Sequence, residues 1–452
     1  MDCVITKSLD ADMLTNDTEY FITMLNDRFE RVVDRWVDAL NKRFGSHFEP
    51  IYVLSSQQNR FFKKRNFIAI NKALSSIGKA ESRKFVYLED YEDLNALATQ
   101  SPTIRKLIEQ LLTKQNRVFV IPFTSSFLRF GIPGVVILGP NPDIATMLDD
   151  KATQVTLFES LDLPRNNTRI FETIANMKQE AVLPAFVSPA FGSGGAESKV
   201  VYRTEDFETF EYGLRVANKN GPFVCSRLIT NIDISPNASA IVVGSNDTRV
   251  ICVTDQILRD NMYLGNIFPS RASAPIVQKI EEITKKVGDH LSGIGFRGLF
   301  GIDFIVDTAG VIYTVDLNPR RQGGYLCNVM ASKVDIVSME LSLALGEKVS
   351  PPTDFGIDKH LIWAHSKVKP YFHNTRILNE FKSGYEETPF KKPGATFECI
   401  YYPKSSVILS GNAGYYITSG SRYNEVLTRL IRETEKLVST NFELYGGAPP
   451  AV

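Results

Sequence analysis

The sequence predicts an α/β protein built from several domains, and three observations support this prediction. Over the first third of the chain, short apolar runs rich in β-branched residues alternate with helical stretches, which is typical of a parallel sheet covered by helices. Farther along, strands and helices are mixed in an α+β order. The chain of 452 residues is long enough for two to four domains with their own cores. We predict four domains, at residues 1–145, 146–225, 226–345 and 346–452.

The first of these domains, residues 1–145, is predicted to be the α/β part. Apolar positions recur with helical spacing up to about residue 45, so this whole stretch is predicted to be helical. Buried strands are predicted at Ile51–Leu54, Phe85–Leu88, Val118–Ile121 and Val135–Leu138.

The later elements are predicted after a break at residues 139–142, where glycine and proline interrupt the pattern. The predicted helices are 142–161, Ala274–Leu291 and Tyr423–Val438. The predicted strands are Val182–Val187, Lys199–Tyr202, Phe223–Ile229, Ser239–Val243, Arg249–Val253 and Ala395–Tyr402.

Composition and charge exclude several classes of protein. Lys and Arg together number 51, as do Asp and Glu, so the chain lacks the basic excess of a nucleic-acid-binding protein. The 5 cysteines form no Cys-x-x-Cys pair, which argues against a disulfide framework or a zinc site and favours a reducing compartment. No signal-peptide pattern and no apolar run long enough to span a bilayer is found. We therefore expect a cytoplasmic protein with no nucleic-acid and no membrane partner.

A predicted hairpin at residues 301–320 carries the most informative polar side chains. Two alternating strands flank Asp307–Gly310, and the glycine suits a left-handed turn position. With the turn there, Asp303 lies opposite Asp316, with their Cβ atoms ~5 Å apart. Asn318 points to the same face as Asp316 because side chains two residues apart on a strand share a face.

Two facing carboxylates at these positions would repel each other by roughly 4 kcal/mol at ~4 Å in an effective dielectric constant of ~20. A divalent cation would turn this repulsion into binding, and hard oxygen ligands suit Mg²⁺ that holds substrate phosphates. Asp303, Asp316 and Asn318 are therefore candidate metal ligands. The alternative is a solvated hairpin whose acidic side chains never meet.

Two further features suggest phosphate binding. Ser193, Gly194 and Gly195 form a glycine-rich loop between two strands, where backbone N–H groups can approach an anion closely. The alternative for this loop is a plain turn. Lys151, after Asp150 in a predicted helix, could contact a phosphate as a point charge, or it could be an ordinary exposed lysine.

These parts, in their order from about Gly139 to Asn328, resemble the ATP-grasp superfamily. Lys151 looks like the family's lysine that contacts ATP phosphates, and the glycine-rich loop looks like its lid. The strand that ends in Ser226, Arg227 and Leu228 looks like the hinge whose backbone reads the adenine edge.

The most specific part of the resemblance is the run from Asp316 to Arg320, which has the form Asp-x-Asn-Pro-Arg. Asp303, Asp316 and Asn318 match the family's magnesium ligands. Arg320 matches an arginine that meets the transferred phosphate or an acyl phosphate.

The sequence departs from the family pattern at three positions. Ser188 stands where a lysine is usual in the strand before the glycine-rich loop, so one phosphate contact is missing or comes from another group such as Lys199. Ser226 stands where the hinge usually has a glutamate. Asp316 stands where glutamate is the more common metal ligand.

The resemblance implies an ADP-forming ligase that uses ATP and Mg²⁺, with Mn²⁺ as an alternative ion. A substrate carboxylate would be activated as an acyl phosphate and then attacked by an amine. The expected partners are therefore a small-molecule carboxylate and a small-molecule amine. A homodimer is one possible assembly.

Lys151 and Arg320 are the candidate catalytic residues. The substrate candidates are Gln256, Arg259, Arg321 and Gly323, in segments that faintly resemble amino-acid and peptide ligases. For Arg259, a surface salt bridge is the alternative.

Two functions from other classes stay open at this point. A protein that binds ATP without turning it over would fit the serine at position 188. A nicotinamide-dependent oxidoreductase would fit the N-terminal α/β domain, although the chain lacks a Gly-x-Gly-x-x-Gly sequence between a strand and a helix.

Overall fold

The computed structural model describes residues 4–7, 14–15, 17–26, 29–54, 66–70, 91–192, 198–217, 219–259, 262–352, 354–356, 359–367, 397–401 and 412–432. The chain divides into two units. Unit 1 comprises Met1–Gly139, Gly324–Glu347 and Gly356–Val452, and unit 2 comprises Pro140–Gly323 and Lys348–Phe355. The predicted boundary at residue 145 lies close to the start of unit 2, and the division into four domains stays a prediction.

Unit 1 begins with a sheet in the order β1-β4-β3-β2-β5-β6, in which β1 is antiparallel to β4 and the other neighbours are parallel. The elements are β1 (Val4–Lys7), β2 (Thr18–Thr23), α1 (Glu30–Phe44), β3 (His47–Leu54), β4 (Phe67–Ile70), α2 (Tyr91–Gln100), α3 (Pro102–Leu112), β5 (Val118–Ile121) and β6 (Val135–Ile137). Apolar side chains of α2 and α3 share one core with β2, β3 and β5. This arrangement confirms the predicted α/β class.

The N-terminal half of unit 2 is an antiparallel sheet in the order β7-β10-β8-β9. Its elements are α4 (Pro142–Asp149), α5 (Lys151–Ser160), β7 (Arg169–Phe171), α6 (Ile174–Glu180), β8 (Ala185–Pro189), β9 (Lys199–Val201), α7 (Asp206–Ala217) and β10 (Phe223–Arg227). Met177 from α6 and Phe207 from α7 are buried against this sheet.

The second half of unit 2 is an antiparallel sheet that holds the predicted hairpin. Its elements are β11 (Ile232–Ile234), β12 (Pro236–Gly244), β13 (Asp247–Arg259), β14 (Met262–Phe268), α8 (Ala274–Gly293), β15 (Gly298–Asp307) and β16 (Ile312–Asn318). The strands follow the order β11-β15-β12-β13-β14, and β16 pairs with β15. Helix α8 packs across β12 and β13 and buries Ile280, Ile283 and Val287 in the core.

The rest of unit 1 follows in the chain. Its elements are α9 (Tyr325–Ala331), α10 (Ile336–Ala344), β17 (His360–Lys367), β18 (Phe397–Tyr401) and β19 (Asn412–Gly420). These strands form the antiparallel order β17-β19-β18, and residues 423–432 are helical. The predicted strand Phe85–Leu88 and the predicted helix beyond residue 432 lie outside the described residues.

The prediction of one helical stretch up to residue 45 is wrong. Residues 18–23 form the parallel strand β2, and the helix begins only at Glu30. Strand β2 has a parallel neighbour on each side, and its apolar run from Tyr20 to Ile22 is buried, so it lacks the alternation of a half-exposed strand. The apolar residues of this strand therefore do not distinguish a strand from a helix. The predicted helical positions Val32, Val33, Trp36 and Leu40 do lie on α1 and are buried.

Two other boundaries differ from the prediction. The single helix predicted over 142–161 is two helices, because Asp150 is extended, with φ −73° and ψ 112°, and caps α5 by accepting from the Ala152 N–H. Strand β8 begins at Ala185 rather than at Val182, after the Leu183–Pro184 bond. None of the helices in the described part of the chain combines the length and apolar character that crossing a bilayer demands.

Helix α8 approaches the sheet closely at Gly288, so a substitution there tests the packing of this helix against the sheet. A Cβ atom there would lie 2.3 Å from Cγ2 of Thr248 and 2.9 Å from Cζ of Phe300, whereas a Cβ at Gly293 in the same helix would meet nothing within 4 Å. We expect Gly288→Ala to lower the free energy of unfolding by about 1–3 kcal/mol through overpacking. Gly293→Ala should leave it unchanged or raise it by up to ~1 kcal/mol. Urea denaturation of both variants measures this, and equal effects would contradict the packing described.

Candidate functional site

The hairpin of β15 and β16 brings the predicted metal ligands together. Asp303 pairs directly with Asp316, and Asn318 pairs with Gly301, as the sequence predicts. The register then shifts, because Phe304 pairs with Thr314 and leaves Val315 as an extra, exposed residue. This bulge lies beside the two carboxylates, a common place for bulges to redirect side chains.

Hydrogen-bond donors surround the Asp303 carboxylate. The Asn318 side-chain amide donates to Asp303 Oδ2 at 3.2 Å, and the Asn237 amide donates to Asp303 Oδ1. Gln322 Nε2 lies 3.4 Å from the same Oδ1. The carboxylate is therefore held in one orientation by side chains from β12, β16 and the segment after β16.

The electrostatics of Asp303 match two carboxylates held face to face. Withdrawal of the carboxyl from water and the negative charge of Asp316 raise the pKa of Asp303 to about 6. The amides of Asn237 and Asn318 and the charge of Arg320 oppose this rise without cancelling it. Without a cation, the folded state thus disfavours ionisation of Asp303.

Gly301 leaves room for the Gln322 side chain beside these carboxylates. A Cβ atom at Gly301 would lie 1.7 Å from Gln322 Oε1, so any larger residue would displace the glutamine. The Ser239 hydroxyl donates to the same Oε1 at 3.2 Å and fixes the amide. The glycine is therefore part of the support for Asp303.

Arg320 lies close to a buried carboxylate. Its Nε is 4.0 Å from Asp149 Oδ1 at the end of α4, and the two side chains are only 14% and 11% exposed. Arg320 is also close enough to Asp303 to lower the pKa of that carboxyl. The neighbouring Arg321 is 3% exposed, which leaves it little contact with solvent.

Lys151 is the first residue of α5. Its Nζ donates to the Gly192 carbonyl at 2.8 Å, and its backbone N–H donates to the Ala190 carbonyl at 2.9 Å. Lys151 thus contacts the chain just before the predicted glycine-rich loop. Ser193, Gly194 and Gly195 themselves lie outside the described residues.

Gln154, one turn farther along α5, attaches this helix to the metal hairpin. Its side chain accepts from the Leu317 N–H at 2.9 Å and donates to the Leu317 carbonyl at 2.7 Å. Leu317 lies between Asp316 and Asn318, so the helix that begins with Lys151 is bonded to the backbone that presents both predicted ligands.

The serine at position 188 is buried on β8, where it pairs with Val224. Lys199 pairs with Val187, and directly paired residues project from the same face of a sheet. Lys199 therefore leaves the sheet on the face opposite to Ser188. This register is unfavourable for the suggestion that Lys199 replaces the usual lysine.

The predicted hinge residues lie at the end of β10 and already have partners. The Ser226 hydroxyl is 2.9 Å from the Thr168 hydroxyl, and the Arg227 carbonyl accepts from the Asn166 amide. The Leu228 N–H donates to the Pro184 carbonyl at 2.9 Å. A nucleotide that uses these backbone groups has to replace or share those bonds.

The predicted substrate residues are distributed over β13 and the segment after β16. Gln256 and Arg259 lie on β13, where Gln256 pairs with Asn266 and its N–H donates to the Ser235 carbonyl. The side chain of Arg259 lies outside the described residues. Gly323 faces Tyr263, because a Cβ there would lie 2.2 Å from the Tyr263 hydroxyl oxygen.

Five residues at or near the site were not predicted from the sequence: Asn237, Asp149, Gln154, Ser239 and Gln322. Asn237 reaches the site because β12 pairs with β15. These strands are far apart in the sequence, so local sequence patterns do not predict their pairing. Within the described residues, no group of three or more His, Cys, Asp and Glu side chains is arranged to hold a metal. The cluster instead combines two carboxylates with amide oxygens, which is a donor set for a hard divalent cation.

Comparison with known proteins gives three kinds of match. A family profile described as ATP-grasp domain matches residues 149–324. The carbamoyl phosphate synthase large chain of Methanoregula boonei is 24% identical over 244 residues, which cover 52% of this chain and 22% of that protein. The chain thus spans about a fifth of the length of this curated relative.

Two solved structures share the fold. The biotin carboxylase–βγ-ATP complex from Campylobacter jejuni has a TM-score of 0.66 at 17% identity and covers 91% of this chain and 89% of its own. The second structure is the biotin carboxylase domain dimer of the Hydrogenobacter thermophilus 2-oxoglutarate carboxylase, in complex with MgADP, ADP and bicarbonate. Its TM-score is 0.67 at 15% identity, and the match covers 91% of this chain and 88% of that chain. The profile thus matches residues 149–324 as an ATP-grasp domain, and the two solved structures show that the chain shares their fold.

Proposed function

We propose that this chain is an ADP-forming ligase that uses ATP and Mg²⁺ to activate a small-molecule carboxylate and join it to an amine. The observation that carries the proposal is the direct pairing of Asp303 with Asp316, close to Arg320, within an ATP-grasp domain. Phosphoryl transfer needs positioning and charge neutralisation more than a covalent protein group, and these residues supply both. Cytoplasmic location and a homodimer stay predictions.

The residues at the hairpin fit a magnesium ion. The donor atoms are hard oxygens, and burial together with the charge of Asp316 raises the pKa of Asp303, which a bound cation would offset. Asp303, Asp316 and Asn318 would hold the ion, and Mn²⁺ has the same ligand preference. Bound there, the ion would neutralise charge on the nucleotide's phosphate oxygens.

Lys151 and Arg320 have the roles of phosphate-binding residues in this proposal. Lys151 would exchange its bond to the Gly192 carbonyl for a phosphate oxygen, which is a stronger, charge-assisted bond. Arg320, oriented by Asp149, would bind the transferred phosphate or the acyl phosphate. The glycine-rich loop at Ser193–Gly195 would exclude water from that intermediate.

The adenine and substrate contacts are less well supported by the geometry. Ser226, Arg227 and Leu228 would read the adenine, with the Leu228 N–H shared with Pro184. Gln256 and Arg259 stay candidates for the substrate. Arg321 is nearly fully buried and Gly323 packs against Tyr263, so both suit a supporting role better than direct contact with substrate.

A second candidate function is a protein that binds ATP without turnover. Ser188 favours it, because the register leaves no lysine paired beside this position within the described residues. A screen that pairs carboxylic acids with amines and measures ADP release, with products weighed by mass spectrometry, separates the two functions. Nucleotide binding without ADP release for any pair would favour the second.

The metal assignment predicts the effects of Asp316→Ala and Asn318→Ala. Each should abolish ATP turnover and remove the rise in melting temperature that Mg-ATP produces in the wild type, since each removes an oxygen ligand. The fold should persist, and removal of Asp316 relieves like-charge repulsion in the apo protein. Thermal denaturation with and without Mg-ATP measures both effects. Variants with a normal shift and normal turnover would show that the metal assignment is wrong.

The raised pKa of Asp303 predicts a pH dependence of stability. In the unfolded chain this carboxyl ionises near pH ~4, whereas in the fold its pKa is about 6. The contribution of Asp303 to stability is therefore full below pH ~4 and is lost as pH rises through about 6. Asp316→Asn removes one cause of the shift and should make this loss smaller.

Urea denaturation in EDTA at about pH 4.5 and about pH 7 measures the difference. The free energy of unfolding of Asp316→Asn, relative to that of the wild type, should be higher at pH ~7 than at pH ~4.5 by on the order of 1 kcal/mol. Saturating Mg²⁺ with ADP should reverse the order of stability at pH ~7, because only the wild type retains its full ligand set. An equal difference at both pH values would contradict the coupling of the two carboxylates.

Interception of the acyl phosphate tests the order of the chemistry. Once the screen has identified the acid, ATP, Mg²⁺, this acid and hydroxylamine without the natural amine should yield hydroxamate in step with ADP, because acyl phosphates react readily with small nucleophilic amines. Lys151→Ala should lose both products together. Formation of AMP and pyrophosphate in place of ADP would instead indicate adenylation.

A further inference from the structure

Asn237 lies in the same row of side chains as the two predicted carboxylate ligands. It pairs directly with Asp303 across β12 and β15, and Asp303 pairs directly with Asp316 across β15 and β16. Directly paired residues project from the same face of a sheet, with neighbouring Cβ atoms ~5 Å apart. Three adjacent strands thus place three oxygen-bearing side chains side by side.

The Asn237 amide is buried, and within the described residues its nitrogen is hydrogen-bonded whereas its oxygen is not. The residue is 2% exposed, and its Nδ2 donates to Asp303 Oδ1. Among the residues that the structure describes, no donor lies within hydrogen-bonding distance of Asn237 Oδ1. A buried acceptor left in this state costs about 1–3 kcal/mol, so its retention calls for an explanation.

The hydroxyl groups nearest to Asn237 bond elsewhere. Thr254, its partner on β13, donates to the Asn237 backbone carbonyl at 3.4 Å and accepts from the Asn266 amide at 2.9 Å. Ser239, two residues along β12, donates to Gln322 Oε1. Neither hydroxyl is directed to Asn237 Oδ1, so this acceptor has no donor among the described residues and suits a bound group.

We propose that Asn237 supplies a further oxygen ligand to the divalent cation held by Asp303, Asp316 and Asn318, an inference that rests on the metal site of the proposed function. An amide oxygen is a hard, neutral donor, so it adds to the coordination of the ion without adding to the repulsion between the carboxylates. The bond from Nδ2 to Asp303 fixes the amide plane and keeps Oδ1 beside the carboxylate row. The site then has two carboxylates and two amides.

Terbium(III) bound together with ADP provides a probe that does not depend on turnover. Luminescence lifetimes in H₂O and D₂O report how many water molecules coordinate the ion. We expect Asn237→Ala to raise this number by about one and to weaken terbium binding by about tenfold or more. Asn237→Asp keeps an oxygen at this place and should leave the number of coordinated waters unchanged. Ser239→Ala, which alters the neighbouring Gln322 contact, is the matched control and should also leave it unchanged.

The outcomes separate this inference from the proposed function. An unchanged number of waters in Asn237→Ala, or an added water in Asn237→Asp, would overturn the ligand role of Asn237 and leave the metal site itself in place. Terbium binding that survives Asp316→Ala undiminished would instead show that the hairpin is not the metal site. Should Asn237→Ala not fold, Asn237→Asp still decides the question, because a carboxylate that became a new ligand would lower the number of coordinated waters by about one.

Discussion

The candidate site depends on one constraint, the backbone ladder that holds Asp303 directly opposite Asp316. The hydrogen bonds of the ladder fix the Cα–Cβ bonds of both residues on one face of the sheet, so both side chains leave the sheet on the same side. Burial of Asp303 and repulsion by Asp316 raise the pKa of Asp303. Within the described residues this pair lies next to a buried Asn237 amide oxygen that has no hydrogen-bond partner. The proposed cation would offset the repulsion and bind this oxygen.

The surrounding elements hold this ladder from three directions within unit 2. Gln154 bonds both backbone groups of Leu317, which attaches α5 to the strand between Asp316 and Asn318. Gln322 fills the space beside Gly301, and α8 covers the opposite face of the sheet through the close contact at Gly288. Movement of the predicted phosphate lysine, Lys151, is thereby linked to the strand that carries the predicted metal ligands.

The sequence could predict those parts of the site that lie within one short segment. The turn at Gly310 predicts the pairing of Asp303 with Asp316, and the structure confirms this pair. It reaches the pair through a bulge at Val315 that the assumed alternation of the two strands does not include. The sequence does not predict strand β2, because a strand buried on both faces lacks the alternation of apolar and polar residues that marks a half-exposed strand. Asn237 and Gln154 were missed for another reason: each reaches the hairpin from a distant segment, and local pattern carries no information about such pairing.

In the proposed function, the charges near Arg320 favour a cation that binds before or together with the nucleotide. The carboxylates of Asp149 and Asp303 lie close to this one guanidinium, and Asp316 pairs directly with Asp303, so the acidic side chains of this cluster outnumber the guanidinium. A polyphosphate approaching it would be repelled, and burial of the side chains strengthens that repulsion relative to water. In the proposed function, a divalent ion on Asp303 and Asp316 would remove the excess. Arg320, whose Nε lies 4.0 Å from Asp149 Oδ1, would then be available to a phosphate as a donor. The same carboxylates that would repel the free nucleotide would thus favour its complex with Mg²⁺.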